Sequence, residues 1–429
     1  LIQIVNGAQL TVKRERSMGT ARERQVVRDI IGQVQNDGDA ALYRFTERFD
    51  GADLSTFTVQ EDEFAQAMQQ VESDFIQALE EAGKRIRAFH ERQRQNSWLM
   101  QEETGTQLGQ LIQPLERVGV YVPGGRAAYP STVLMNVIPA QVAGVKEIAL
   151  VTPPQADGTI APTVLVAAKQ LGISTIHKVG GAQAIAALAY GTETISPVDK
   201  IVGPGNIFVA LAKEHVYGQV DIDSFAGPSE VVIIADDSAK AKFVAADLLS
   251  QAEHDPMAAA ILITPSTELA EQVAKEVNRQ LKKLPREEIA KASLKDQGAI
   301  ALVENLDQAA RLANQLAPEH LELAVNDPWT WLPKIKNAGA VFLGHYSPET
   351  VGDYYAGPNH VLPTSGTARF FSPLGVDSFI KRTNVIAYSR EDCLRDADHV
   401  ITLAEAEGLR GHANSLRVRV EEEKGRESE

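Results

Sequence analysis

The chain has 429 residues, with 42 Lys and Arg against 57 Asp and Glu and a formal charge of −15. At roughly 150 residues per domain that length suggests about three domains, and 44% hydrophobic with 23% charged residues is ordinary globular composition, which argues against disordered and fibrous classes. The acidic balance argues against nucleic acid or an anionic membrane as partner, and the single cysteine, Cys393, excludes a disulfide framework, a Cys-ligated zinc finger and an iron–sulfur cluster.

The opening segment LIQIVNGAQLTVKRERS has no apolar region of signal-peptide type. Its basic residues Lys13, Arg14 and Arg16, followed by Arg22 and Arg24, read as a solvated face. From Glu61 to Gln95 the residues Phe64, Met68, Val71, Phe75, Leu79, Ala82, Ile86 and Phe89 recur every three or four positions, which predicts helix with one apolar stripe. After Pro114 the pattern changes to strand–turn–helix units. Val118 to Val122, Ile148 to Thr152, Thr175 to Val179 and Lys200 to Val202 read as strands, with helices over Pro162 to Leu171, Ala182 to Tyr190 and onward from Asn206. The longest uncharged run, Ala127 to Val145, contains Pro130, Pro139, Asn136 and Gln141, so it reads as buried core and not as a membrane span.

A second set of units follows, with strands at Val231 to Ala235, Ala259 to Thr264, Ala299 to Val303, Leu321 to Val325 and Ala340 to Leu343. Ala239 to Glu253 and Leu306 to Leu316 read as helices between them. Such alternation predicts parallel sheets covered on both faces, in two α/β units with boundaries near Val118 and near Gly227-Pro228. From Tyr346 to Pro373 the chain is rich in Gly, Pro, Ser and Thr, and a loop of that length points to function.

Four segments carry residue types that do chemistry. Gln251 and His254 stand three apart at a helix end, on one face. Asp353 lies in the loop VGDYYAGPNHVLP, and His412 in GLRGHAN. Such side chains suit a zinc-like ion where thiolates are scarce, yet no HExxH or CxxC spacing supports one, and helix-end and turn roles explain each alone. Glu319 and His320 are adjacent at a helix-to-strand junction, where His suits general-base work. Neighbours in a strand point to opposite faces, so both reach one site only if the turn at Pro318 is irregular. The turns Pro123-Gly124-Gly125, Gly180-Gly181 and Gly203-Pro204-Gly205 follow strands, and the last two open helices that suit an anion. None is GxGxxG, since Phe208 stands at the third glycine position.

The strings VYVPGGRAAYPSTVLMNVIPAQVAG, VGGAQAIAALAYGTE, VDKIVGPGN, IDSFAGPSEVVIIAD, LLSQAEHDP, LAPEHLEL, VGDYYAGPNHVLPT and EGLRGHANS together resemble histidinol dehydrogenases. The resemblance runs from Asp37-Gly38-Asp39-Ala40-Ala41-Leu42 to the C-terminal helix. It implies an α/β fold of two Rossmann-like domains with small terminal extensions used in dimerisation. These would be an N-terminal arm, 1–16; a first domain, 17–117 with 230–372; a second, NAD-binding domain, 118–229; and a C-terminal extension, 373–429, serving the partner subunit. It further implies a cytoplasmic enzyme (plastid stroma if the source is a plant) of histidine biosynthesis, oxidising L-histidinol to L-histidine through L-histidinal with two NAD+.

On that resemblance Zn2+, one per subunit, would be held by Gln251, His254, Asp353 and His412, and proton transfer would fall to Glu319 and His320. Those four ligands would also touch substrate, together with Ser229, His320 and Glu407, while Tyr121, Gln183 and Asn206 would contact NAD+. The partners implied are L-histidinol and a second copy of the chain in a homodimer with shared sites, with neither nucleic acid nor membrane. Cys393, in a charged helical stretch, is expected to be dispensable. Two rivals use the same residues differently: a zinc hydrolase with metal-bound water and Glu319 as base, and a non-catalytic α/β binding protein.

Overall fold

The computed structural model describes residues 1–10, 19–124, 128–224 and 227–426. Lys13, Arg14 and Arg16 of the basic run, Gly125 of the first glycine turn and Ala127 lie outside the described residues. The chain divides into two compact units, Leu1–Arg94 with Leu115–Phe379, and Gln95–Pro114 with Ile380–Glu429.

The first unit contains two parallel sheets. One has five strands in the order Ile176–Lys178, Glu147–Thr152, Arg117–Tyr121, Lys200–Val202, Asp221–Ile222. The other has six, in the order Gln3–Asn6, Ala299–Leu302, Ala259–Thr264, Glu230–Ala235, His320–Ala324, Ala340–Leu343. In the five-stranded sheet, and in the larger sheet from Glu230–Ala235 onward, the chain starts at an inner strand, winds outward on one side, then returns to the other side of that strand. The second sheet repeats the order of the first and adds Gln3–Asn6 at its edge. The order reverses between Arg117–Tyr121 and Lys200–Val202 in one sheet, and between Glu230–Ala235 and His320–Ala324 in the other. Such reversal points open crevices for ligands.

Side chains alternate across each sheet, as the two-residue strand period requires. Val118 and Val120 enter one core with Leu150, while Tyr121 and Val151 enter the other. In the larger sheet Val231 and Ile233 face one layer of helices, and Val232 and Ile234 face the other. Both faces being buried explains why these strands read as continuous apolar runs.

Residues 17–117 were expected to belong with 230–372, but their helices pack elsewhere. Val27, Ile30 and Phe45, from Ala21–Asp37 and Asp39–Asp50, share a core with Tyr121 and Ile201. Phe64, Leu79 and Ile86, from Glu61–Gln70 and Ser73–Glu91, share the other with Val118 and Ile176. An apolar stripe announces that a helix will be buried, not against which sheet.

The second unit has an antiparallel sheet, ordered Ile380–Ala387, Gln107–Pro114, Trp98–Gln101, and the helices Arg390–Ala406 and Arg410–Arg426. Cys393 lies on the first of these helices. Among the described residues no helix is long and apolar enough to cross a membrane.

Gly203 sits at φ 107°, with its missing side chain against the Tyr121 carbonyl oxygen, so any Cβ there meets both backbone strain and a clash. Gly203→Ala is therefore expected to destabilise the protein by more than about 1 kcal/mol, read as a lower midpoint in thermal unfolding. An unchanged midpoint would contradict the packing described.

Candidate active site

Two strands of the larger sheet begin side by side and carry the most unusual cluster of side chains. His320 pairs in register with Val231, so Glu319 and His320 stand beside Glu230, the first residue of the neighbouring strand. The Glu230 N–H donates to Glu319 Oε2 at 2.9 Å, and His320 Nδ1 meets the Glu230 carbonyl oxygen at 3.2 Å. Both side chains of the adjacent pair thus grip the backbone of one residue, Glu230, on the neighbouring strand. The irregular turn required for this is present. The helix Leu306–Leu316 ends on Ala317 at φ 44°, a left-handed conformation rare outside glycine, and the strand starts only at His320.

A carbonyl oxygen can only accept, so the contact with Glu230 puts a proton on Nδ1. The other nitrogen, Nε2, is buried without a hydrogen-bond partner among the described residues and lies 3.5 Å from Asp353 Oδ1. Glu319 Oε2 and Glu349 Oε2 flank Nδ1 at 3.7 and 3.8 Å. Glu349 is placed by the short helix Glu349–Tyr354, which forms inside the stretch expected to be loop and carries Asp353 one turn later. The Ser250 hydroxyl donates to Glu349 Oε1 at 2.8 Å.

Three carboxylates around one imidazole set the electrostatics. Burial alone pushes the His320 pKa down, but Glu319, Asp353 and Glu349 together raise it to about 10. Burial pushes Glu319 up to about 7 and Glu349 up to about 8, each partly opposed by His320. For Asp353 burial is outweighed by His320, His360 and His254, and its pKa ends below the usual range.

Gln251 and His254 approach from the end of the helix Ala241–Ala252, and the His254 N–H donates to the Gln251 carbonyl at 3.2 Å. Gln251 is 1% exposed, and its terminal nitrogen has no partner among the described residues. Turned end for end, that amide would present an oxygen lone pair instead. His254 is held below its usual pKa, first by burial and further by His320, against the pull of Asp353. Its interactions with Asp353 and His320 bring it to the same cluster. Ser229 is half-buried directly before the Glu230 strand, and its carbonyl accepts from Ala259 at 3.0 Å.

Glu407 and His412 belong to the second unit. Both are exposed, Glu407 at the turn between its two helices and His412 in the first turn of the second. Among the described residues no group of three or more His, Cys, Asp or Glu side chains is assembled that could hold a metal ion. Of the four expected ligands, the first unit supplies one glutamine, one histidine and one aspartate. A nitrogen and oxygen donor set with an orphaned buried amide nevertheless fits a borderline divalent ion.

Tyr121, Gln183 and Asn206 meet elsewhere in the first unit, around a cavity of about 820 Å3 at the carboxyl ends of the five-stranded sheet. The Gly181 N–H donates to the Tyr121 hydroxyl at 3.1 Å, and burial pushes that phenol up to about 12. Asn206 caps the helix Ile207–Val216 by accepting from Phe208 and Val209, while Gln183 Oε1 is buried without a partner among the described residues. Helix starts at Gly181 and Ile207 bring positive dipole ends to this cavity.

Reading the residues alone missed Glu349, Glu230 and His360. His360 Nδ1 lies 3.0 Å from the Asp353 carbonyl oxygen, and with His320, Asp353 and Asn359 it lines a second cavity of about 570 Å3. Only the sequence string around Asp353 hinted at His360, and for Glu349 no signal existed outside the three-dimensional fold.

A family model described as histidinol dehydrogenase matches residues 13–420. A histidinol dehydrogenase of Halalkalibacterium halodurans is 56% identical over 415 residues, covering 97% of this chain and 98% of its own. That of Moorella thermoacetica is 57% identical over 397 residues, covering 92% and 94%. The crystal structure of histidinol dehydrogenase from Elizabethkingia anophelis superposes with a TM-score of 0.94 at 39% identity, over 99% of each chain.

The carboxylates around His320 make a test of the site's electrostatics. Glu349→Gln removes a charge that raises the His320 pKa, so the imidazole is expected to titrate at lower pH in the metal-free protein. NMR titration of labelled histidine measures this, and an unmoved midpoint would contradict the arrangement.

Proposed function

Because the chain belongs to the histidinol dehydrogenase family of NAD-dependent oxidoreductases, we propose that it oxidises L-histidinol to L-histidine through L-histidinal, with two NAD+ and one Zn2+ per subunit. The observation that carries this reading is the His320 ring, fixed by the Glu230 carbonyl at Nδ1 and left without a partner at a buried Nε2.

A hydride leaves a carbinol carbon only as its hydroxyl loses a proton, so a base within hydrogen-bond reach is needed. His320 Nε2 takes the hydroxyl proton while the hydride passes to the nicotinamide of the first NAD+. Glu319 then removes a proton from water as its oxygen adds to the aldehyde carbon, and the His320 imidazolium returns its proton to the carbonyl oxygen, giving the hydrate and leaving Nε2 free again. His320 takes a hydroxyl proton from the hydrate as the second hydride leaves to the second NAD+, and the product is the carboxylic acid. The neighbouring carboxylates favour the imidazolium that forms in each oxidation, which raises the ring's strength as a base. Confining the aldehyde between steps protects it from side reactions.

Gln251, His254 and Asp353, with His412 of the second unit, would hold the ion, and Ser229 and Glu407 would hold substrate with His320. When bound, Zn2+ supplies positive charge that orients the substrate and takes up the Asp353 charge, which frees Nε2 of a second proton. Tyr121, Gln183 and Asn206 would hold NAD+ in the larger cavity. The protein would act as a homodimer in which Glu407 and His412 complete the partner's site. Trp98, Leu99 and Ile386, all more than half exposed on the antiparallel sheet, suit a surface covered by a second copy.

Adding histidinol and NAD+ is expected to yield two NADH for each histidinol consumed. His320→Gln should lower kcat on the order of 10²- to 10⁴-fold with the bound zinc unchanged. Turnover without NADH would favour the hydrolase reading instead, and full activity of the variant would overturn the role given to His320.

A further inference from the structure

The larger cavity contains a carboxylate that no role above accounts for. Asp50 lines it, and among the described residues lining the cavity it is the one charged side chain. Its Oδ2 is buried with no hydrogen-bond partner among the described residues. Asp50 is also the last residue of the helix Asp39–Asp50, followed by Gly51 at φ 71°. A negative charge at a helix carboxyl end opposes the helix dipole. Desolvation, lack of a partner and the dipole all disfavour an aspartate here, and burial accordingly pushes its pKa up to about 6. Among the described residues nothing rewards the aspartate, which points to a group that enters the cavity.

Dinucleotide-binding α/β sheets commonly present an acidic residue that accepts a hydrogen bond from a ribose hydroxyl, and it stands some twenty residues past the first glycine turn, beyond the second strand. In this chain the second strand, Glu147–Thr152, is followed by Pro153, Pro154 and Gln155. All three line the cavity, and none is acidic. Asp50 reaches the same cavity from a helix outside the sheet. It stands near Tyr121, whose phenol, raised mainly by burial, is raised further by the Asp50 charge.

We propose that Asp50 accepts hydrogen bonds from a ribose diol of the dinucleotide and thereby sets the preference for NAD+ over NADP+. This rests on the assignment of the larger cavity to NAD+. The carboxylate offers acceptors to the two ribose hydroxyls, and a 2′-phosphate would bring its negative charge against the buried Oδ2.

The test measures Kd by calorimetry on the intact enzyme with NAD+, ADP-ribose and NADP+, for the unaltered chain and for Asp50→Asn, Asp50→Ala and Gln183→Ala. Both Asp50 variants are expected to bind NAD+ and ADP-ribose about tenfold or more weakly, as loss of a charge-assisted hydrogen bond requires, and to discriminate less against NADP+. Asp50→Asn keeps the side chain's shape and removes an unrewarded charge, so it should unfold at a higher temperature while binding more weakly. That combination is one a merely structural residue would not give. If Gln183→Ala weakens NAD+ while both Asp50 variants bind both dinucleotides like the unaltered chain, the role of Asp50 is overturned and the cavity assignment stands. If none of the three variants changes NAD+ affinity, the cavity assignment falls and the role of Asp50 falls with it.

Discussion

The backbone of one residue, Glu230, organises the centre. The backbone of Glu230 gives its N–H to Glu319 and its carbonyl to His320, and the proton on His320 is thereby assigned to Nδ1. If that clasp is removed, the ring is free to turn and either nitrogen can carry the proton. With it, the nitrogen left to exchange a proton, Nε2, is buried, without a hydrogen-bond partner among the described residues, and next to Asp353. The clasp depends in turn on strand register, since His320 faces Val231 only while Glu230–Ala235 and His320–Ala324 stay paired as they are. The sheet's hydrophobic cores therefore hold the geometry of this cluster as well as the fold.

The two sheets share one strand order and put it to different uses. In the five-stranded sheet the cavity opens at the carboxyl ends of the strands, beside the point where the order reverses, as α/β sheets generally favour. In the six-stranded sheet the acid–base cluster lies at the amino ends, where Glu230 and His320 begin their strands and where the loop after Gln251 leads into Ala259–Thr264. Repetition of an architecture therefore does not carry the location of its site with it, which is why roles have to be argued from side chains.

Much of this was legible in the residues. Strands such as Glu230–Ala235 and Ala259–Thr264 stand where their apolar runs put them, because strands buried on both faces are continuous in hydrophobicity. The antiparallel strands Trp98–Gln101, Gln107–Pro114 and Ile380–Ala387 were not legible. They are largely exposed and lack a continuous apolar run, with Gln and Gly among their residues, and Gln107–Pro114 pairs with Ile380–Ala387 far away in sequence. The helices before residue 94 announced their apolar stripes but not the sheet that buries them. At the site, Glu319 and His320 drew notice through their chemistry and their place at a junction. Glu349 could not, because a carboxylate in a Gly- and Pro-rich stretch looks solvated until the short helix Glu349–Tyr354 turns it inward. Asp50 was hidden for the same reason, since a helix-end aspartate is unremarkable until its oxygen is found buried and unpartnered.

Where His320 keeps its proton and where it offers a lone pair can be read from a crystal structure of the zinc-loaded enzyme with histidinol. The substrate hydroxyl is expected within about 2.6–3.2 Å of Nε2, with Nδ1 still on the Glu230 carbonyl. A hydroxyl bound away from Nε2, or a ring turned so that Nδ1 has left Glu230, would contradict the role given to His320.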